Sequence, residues 1–266
     1  MAIITISRGS YTKGKEIAER VADRLGYRCI SRDVLLEASE HFNIPEIRLA
    51  RALHDAPSVL ERFTHGRETY VAFIEKTFLE SVRDDDVVYH GLAGHFFLRG
   101  LSHAIKVRII ADLDLRVKEE MEREGISRQE AQALLKKDDY ERRRWGLALY
   151  GIDTRDPILY DLTINICSLS VDCAVELIVH AAQGPCFATT EESQQALEAL
   201  LLAAHARSVL ISKWHDVRVS SNDGVVYVDI EAPLIHEIPL ADEIIAIVKT
   251  IPGVRDVKVN VRPTAI

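Results

Sequence analysis

The chain has 266 residues, of which 47% are hydrophobic, 28% charged and 6% aromatic, a composition too apolar for a disordered chain and too charged for a membrane one. At roughly 100–200 residues per domain, this length accommodates one medium domain and a small companion. Lys and Arg total 33 against 41 Asp and Glu, a formal balance of -8, which argues against bulk attraction to nucleic acid or anionic lipid and points to small ligands. Residues 3–6 (IITI) read as a strand that ends in the polar stretch SRGSYTKGK. A helix follows, with Ile17, Val21 and Leu25 at every fourth position, Ala18 and Ala22 beside them and Gly26 placed to end it. A second short strand is expected at 27–31, and helical patterns fill most of 33–83, best seen in Tyr70, Ile74, Phe78 and Val82.

VVYH (87–90) and IKVRIIAD (105–112) are the next strand candidates, both apolar enough to lie in a parallel sheet covered on two faces. From Leu113 to about Tyr150 the chain reads as a charged, mobile helical hairpin, broken at Gly125 and restarted by Ser127 with Glu130 three residues on. DLTINI (161–166) is a last strand, and a helix over 170–182 packs after it. Strands alternating with helices give an α/β domain over 1–183. Beyond Gly184-Pro185, residues 184–190 read as a linker. Residues 191–266 then follow a different order, α-β-β-α-β, with Asn222-Asp223-Gly224 as a turn signal, which describes a small α+β domain. The opening residues lack a basic stretch followed by a long apolar core, and no apolar run approaches membrane-spanning length, so a cytoplasmic location is expected. Cys29, Cys167, Cys173 and Cys186 lack the close spacing of a zinc or redox pair and are expected to be buried free thiols.

Gly9-Ser10-Tyr11-Thr12-Lys13-Gly14-Lys15 matches the spacing G-x-x-x-x-G-K between the first strand and the first helix. Such a loop wraps a triphosphate because glycines let the backbone approach, amide groups point inward and the helix N-terminus carries partial positive charge. Lys15 supplies the compact cation, with Lys13 as a second candidate. A solvated turn accounts for the same residues. The hydroxyl that normally follows the lysine to hold magnesium is replaced by Glu16, so metal ligation must come from elsewhere.

The stretch ISRGSYTKGKEIAERVADRLGY resembles the opening of the cytidylate kinase-like family, whose loop has the form I-S-R-x-x-G-S-G-G-R/K-E-I and carries the same Glu. Ser7, Arg8, Gly14, Lys15, Glu16 and Ile17 agree, whereas Tyr11 and Lys13 stand where the family has glycines. Further landmarks follow in order over the first 183 residues: MEREGISRQEA (121–131), Asp139 with Arg142, GID (151–153), DP (156–157) and YDLTIN (160–165). The resemblance implies a P-loop NTPase-type parallel sheet flanked by helices. It also implies ATP and magnesium as cofactors, with Ser7, Arg8, Gly9, Ser10, Thr12, Lys13, Gly14, Lys15 and Glu16 around the nucleotide and the metal ligand left open. The charged hairpin becomes a lid that brings Arg116, Arg123 and Arg142 to the phosphoryl group, with Asp139 orienting one of them. A solvated helix face is the other meaning of these charges, and the natural one for Arg143 and Arg144. Asp161 and Asn165 fall close to the nucleotide base or serve as polar residues at the core edge.

Two departures bear on the acceptor. Where the family has Y-D-R/K-E and G-R-G-A-D, this chain has Ile30-Ser31-Arg32-Asp33 and Gly91-Leu92-Ala93-Gly94-His95. Arg32, Asp33, Gly91 and His95 are the expected acceptor residues, but an arginine has become Leu92. His90 or His95 offers a replacement donor, neutral or charged; a core-edge role explains His90 equally. The expected activity is ATP-dependent phosphoryl transfer to a nucleoside monophosphate of the CMP type or a related small phosphate acceptor. The rival is a nucleotide-sensing regulatory protein with weak turnover. The tail resembles the BON domain through Gly224, Val225, Val226, Gly253, Val254, Val257 and Val259. It carries seven Lys and Arg against eleven Asp and Glu, a balance near -4, which opposes anionic lipid surfaces. It is therefore expected to contact protein or a small ligand, or to pair two chains as a homodimer.

Overall fold

In the computed structural model, the described residues are 2–8, 13–31, 66–91, 94–233 and 237–263. The chain divides into two compact units. The first contains residues 2–31 and 84–189, and the second 66–83 and the residues from 190 onward. Helical patterns expected between 33 and 65 lie outside the described residues.

The first unit is built on strands β1 (Ile3–Arg8), β2 (Arg28–Ser31), β3 (Val87–His90), β4 (Ala104–Ile110) and β5 (Leu162–Asn165). They form one parallel sheet in the order β2-β3-β1-β4-β5. β1 is central because its β-branched residues find cover on both sides: Ile3, Ile4 and Ile6 are fully buried. Helix α1 (Lys13–Leu25) lays Ile17, Ala18, Val21 and Ala22 on one face of the sheet and ends at Gly26, whose φ of 70° suits glycine. The last helix of this unit, residues 171–182, is capped by Ser170 and adds Ala174, Val175, Ile178 and Val179 to the same core. Burying each such side chain stabilises the fold by about 1.5–3 kcal/mol at most.

The opposite sheet face is more polar. Thr5 and Ser7 lie there beside Tyr89 and the short helix α3 (Gly94–Phe97). β4 alternates, with Lys106, Arg108 and Ile110 half-buried. The sequence-based expectation of a strand buried on two faces therefore holds in full for β3, which is buried throughout, and in part for β4, whose second face is only half-buried. Between β4 and β5 the hairpin forms as expected: α4 (Leu113–Glu124) stops at Gly125 with φ 65°, and α5 (Arg128–Tyr150) starts with a full capping box between Ser127 and Glu130. Val117, Ala131 and Leu135 are its buried seam.

In the second unit, β6 (Arg218–Asn222) and β7 (Val225–Ala232) form an antiparallel hairpin. Its two-residue turn, Asp223-Gly224, has φ of 48° and 74°, the left-handed pair that Asp-Gly tolerates. β8 (Asp256–Pro263) runs parallel to β7. The helices over 191–210 and 237–248 cover one face, completing the expected α-β-β-α-β order. One element joins from earlier in the chain: helix α2 (Gly66–Val82) contributes Ala72 and Phe73 to this core. Glu75 of α2 pairs with Arg207 at 3.2 Å, and Arg83 grips both carboxylate oxygens of Glu198 at 2.7 and 3.1 Å. Residues 66–83 thus fall outside the 1–183 grouping drawn from sequence texture. Tyr70, Ile74, Phe78 and Val82 are all buried, as their spacing predicts.

The four cysteines are free but exposed, which corrects the expectation of burial. Cys29 lies on the edge strand β2, and Cys173 lies in the first turn of helix 171–182 on its outer side.

Before β3, Asp85 is buried with its carboxylate 3.2 Å from the fully buried His103 ring and accepting a 2.6 Å hydrogen bond from Thr189. Burial raises its pKa, but the His103 and Thr189 contacts outweigh that and leave it below the ordinary 3.8. Its stabilising contribution is therefore complete above the ordinary carboxylate range and is lost as pH falls below about 4. Asp85→Asn, which tolerates the positive φ of 56°, is expected to destabilise the fold by about 1–3 kcal/mol at neutral pH. It should also flatten the acid limb of stability, as read by denaturant unfolding between pH 2 and 7.

Candidate active site at the sheet edge

Because all five strands are parallel, their C-terminal ends share one edge, where ligands bind in open α/β sheets. β1 delivers the chain there directly before α1. Ser7 is the penultimate residue of β1, and Gly14 is buried in the first turn of α1. Gly9, Ser10 and Thr12 lie outside the described residues, as do Arg32 and Asp33; for Arg8 only the backbone, in β1, is described.

Lys13 and Lys15 are separated by their partners. Lys13 reaches across to Glu119 of α4 at 2.8 Å, while the exposed Lys15 lies 3.6 Å from Glu19 one turn along its own helix. Glu16 pairs with Arg20 at 3.6 Å. Exposed pairs of this length are weak and exchange readily for a better anion.

On α4, positions 116, 119–120 and 123 recur on one face. Arg116 is mostly buried, and its two terminal nitrogens donate to the two carboxylate oxygens of Asp139 on α5, each at 2.8 Å. This fork fixes the guanidinium plane. Arg123 donates to the buried Glu120 and lies 3.3 Å from Glu124. Arg142 lies in α5, with its side chain outside the description. Arg143, expected as a solvated charge, donates to Asp153 at 2.9 Å. Hydrogen bonds from Arg155, and a further one from Arg143, hold the Asp153 carboxyl well below the usual carboxylate range.

On the polar sheet face Ser7 and His95, both expected from the sequence, are joined by Tyr160 and Arg108, which sequence reading missed. The Tyr160 hydroxyl donates to the Thr154 carbonyl at 2.8 Å and lies 3.4 Å from both the Ser7 hydroxyl and His95 Nε2. The Arg108 guanidinium lies over the Tyr160 ring, 5.4 Å from its centre. The available signal was the Lys106/Arg108 alternation inside an otherwise apolar strand. Asp161 and Asn165 do structural work: Asp161 accepts from the Lys106 amide at 2.7 Å, and Asn165 accepts from the Cys167 amide at 3.0 Å. Gly91 and Gly94 have no room for a side chain, since a Cβ would come within 2.5 and 2.6 Å of the Tyr89 side chain.

A five-stranded parallel sheet of order 2-3-1-4-5 flanked by helices, with β1 central and α1 next in sequence, is the architecture of a P-loop-type α/β protein. Residues 3–168 match the model of the Cytidylate kinase-like family, and the chain belongs to that family. It is 29% identical over 164 residues to a cytidylate kinase from Desulfurococcus amylolyticus, spanning 60% of this chain and 82% of that protein. It is 27% identical over 185 residues to one from Archaeoglobus fulgidus, spanning 68% and 94%. Among solved structures, an uncharacterized protein from Eubacterium ventriosum superposes with a TM-score of 0.54 at 22% identity, over 68% of this chain and 97% of that one. This structural likeness concerns the fold. No helix among the described residues is long and apolar enough to cross a membrane.

His95 is almost wholly buried, and burial, followed by the charges of Arg108, Lys106 and Arg99, pushes its pKa down to about 3. It is therefore neutral at physiological pH, which removes the charged-donor role considered for it. Unfolding restores an ordinary imidazole, so stability contributed by neutral His95 is complete above about pH 6.5 and is lost progressively toward pH 3. His95→Gln is expected to reduce the pH dependence of unfolding free energy between pH 6.5 and 4, measured by urea titration.

Proposed function

We propose that this chain transfers the γ-phosphoryl group of ATP to a nucleoside monophosphate of the CMP type. The observation that carries the reading is that the lysines at the start of α1 meet an arginine-bearing hairpin, Lys13 touching Glu119 between them. Family membership and the cytidylate kinase relatives support the same reading.

Phosphoryl transfer asks for alignment and charge neutralisation more than for covalent participation. An oxygen of the acceptor phosphate attacks the γ-phosphorus as the bond to the bridging oxygen of ADP breaks. Lys15, Lys13 and the amides of 9–14 hold the triphosphate. Arg116, held in orientation by Asp139, acts with Arg123 and Arg142 on the transferring group, while Arg32, Asp33 and Gly91 shape the acceptor side. Magnesium, when bound, would supply charge neutralisation to the triphosphate. It keeps much of its shell as water and phosphate oxygen, and the described residues hold no cluster of three metal-ligating side chains. Such an ion would arrive with the triphosphate.

A second reading is favoured by α2, which precedes β3 in sequence yet packs into the core of the C-terminal unit. In that reading the protein senses nucleotide, and the C-terminal unit, which resembles a BON domain in sequence, is a regulatory or interaction module. ADP release over a panel of monophosphates, run beside an ATP titration, separates the two: acceptor-dependent ADP supports the kinase, and tight ATP binding without it supports the sensor. Lys15→Ala is expected to weaken turnover at least roughly tenfold; if only Lys13→Ala does so, the loop register is displaced. Asp139→Asn is expected to lower kcat/KM at least roughly tenfold while changing unfolding free energy by less than about 1 kcal/mol, since the fork is partly exposed.

A further inference from the structure

We propose that Arg108 is the cation for the acceptor's phosphate, taking the place of the arginine that this chain lacks at Leu92; the proposal rests on the kinase reading above. Arg108 is paired in register with Ser7, one position before the end of β1, and thus lies close to the functional edge of the sheet. Among the described residues it has no carboxylate partner, whereas its strand neighbour Lys106 is paired with Asp161 at 3.2 Å. A half-buried guanidinium without a counter-charge is costly unless an anion is to arrive.

Its contacts point toward the acceptor segment. The Tyr160 ring beneath Arg108 shares a hydroxyl contact with His95, in the same short segment as Leu92. β4 and β3 flank β1, so their axes are about 10 Å apart. The intervening β1 side chains on this face, Thr5 and Ser7, are small. A long side chain from β4 therefore has space to serve a site that the missing arginine would have served from β3. Tyr160 holds the guanidinium by cation–π contact without consuming its hydrogen-bond donors. These donors then remain available for bidentate recognition of a phosphate monoester. The lowered pKa of His95 agrees, since Arg108 contributes to a positive potential in the pocket.

The test uses the full chain with Arg108→Gln and Arg108→Lys, CMP as the acceptor probe, and ATP titration with thermal unfolding as controls for folding. In Arg108→Gln, the KM and Kd for CMP should rise at least roughly tenfold, with ATP affinity unchanged and kcat less affected than KM. Arg108→Lys should recover part of the loss. Unchanged CMP affinity in a folded Arg108→Gln, with wild-type turnover present, overturns the proposal and leaves the kinase reading intact. If the wild-type chain forms no ADP with any monophosphate, the kinase reading fails. Binding of CMP or inorganic phosphate that depends on Arg108 would still support the anion site, and no such binding would overturn it.

Discussion

Parallel pairing of β1 with β3 on one side and β4 on the other governs what this molecule presents to a ligand. A buried strand flanked in this way cannot slip by one residue without turning Ile4 and Ile6 away from the core they share with α1. The same register fixes Ser7 beside Arg108 and delivers the backbone, after Arg8, to the start of α1. The C-terminal ends of the five strands therefore share one edge, because parallel strands end together, and the first turn of α1 follows β1 there. The two sheet faces divide the work: one holds the aliphatic core, and the other carries the hydroxyls, histidine and arginine of the candidate site.

The cations near this edge mostly have partners. Lys13 is held by Glu119, Arg116 by Asp139 and Arg123 by Glu120. These pairs hold charged groups in fixed orientations, and their strengths differ for physical reasons. The Arg116 fork is planar and largely desolvated on the arginine side, so it orients a guanidinium. The Lys13 and Lys15 contacts are point-charge pairs in partial solvent, which a polyanion displaces readily. Arg108 differs from all of them, resting on an aromatic ring instead of a carboxylate.

Much of the architecture was legible in the sequence where local chemistry and tertiary structure agree. Gly26, Gly125 and the Ser127/Glu130 box mark helix ends that form as their residue types require. The Asp223-Gly224 turn does the same for the C-terminal hairpin. The failures are tertiary. No local signal tells that α2 packs with a core some 120 residues later in the chain, since its apolar residues would suit any neighbour. Cysteine composition alone says nothing of which strand lies at an edge, so Cys29 was misjudged. The polar face of β4 was hidden by its apolar average, and with it the Ser7–His95–Arg108–Tyr160 cluster that only the packed sheet assembles.

The central claim is that the β1–α1 loop is the triphosphate site on which the other charged elements act. A crystal structure of the full chain with a non-hydrolysable ATP analogue and magnesium tests it most directly. The account predicts triphosphate density cradled by residues 9–16, with Lys15 turned away from Glu19 onto the phosphates. Nucleotide bound anywhere else, with the loop empty, would contradict it.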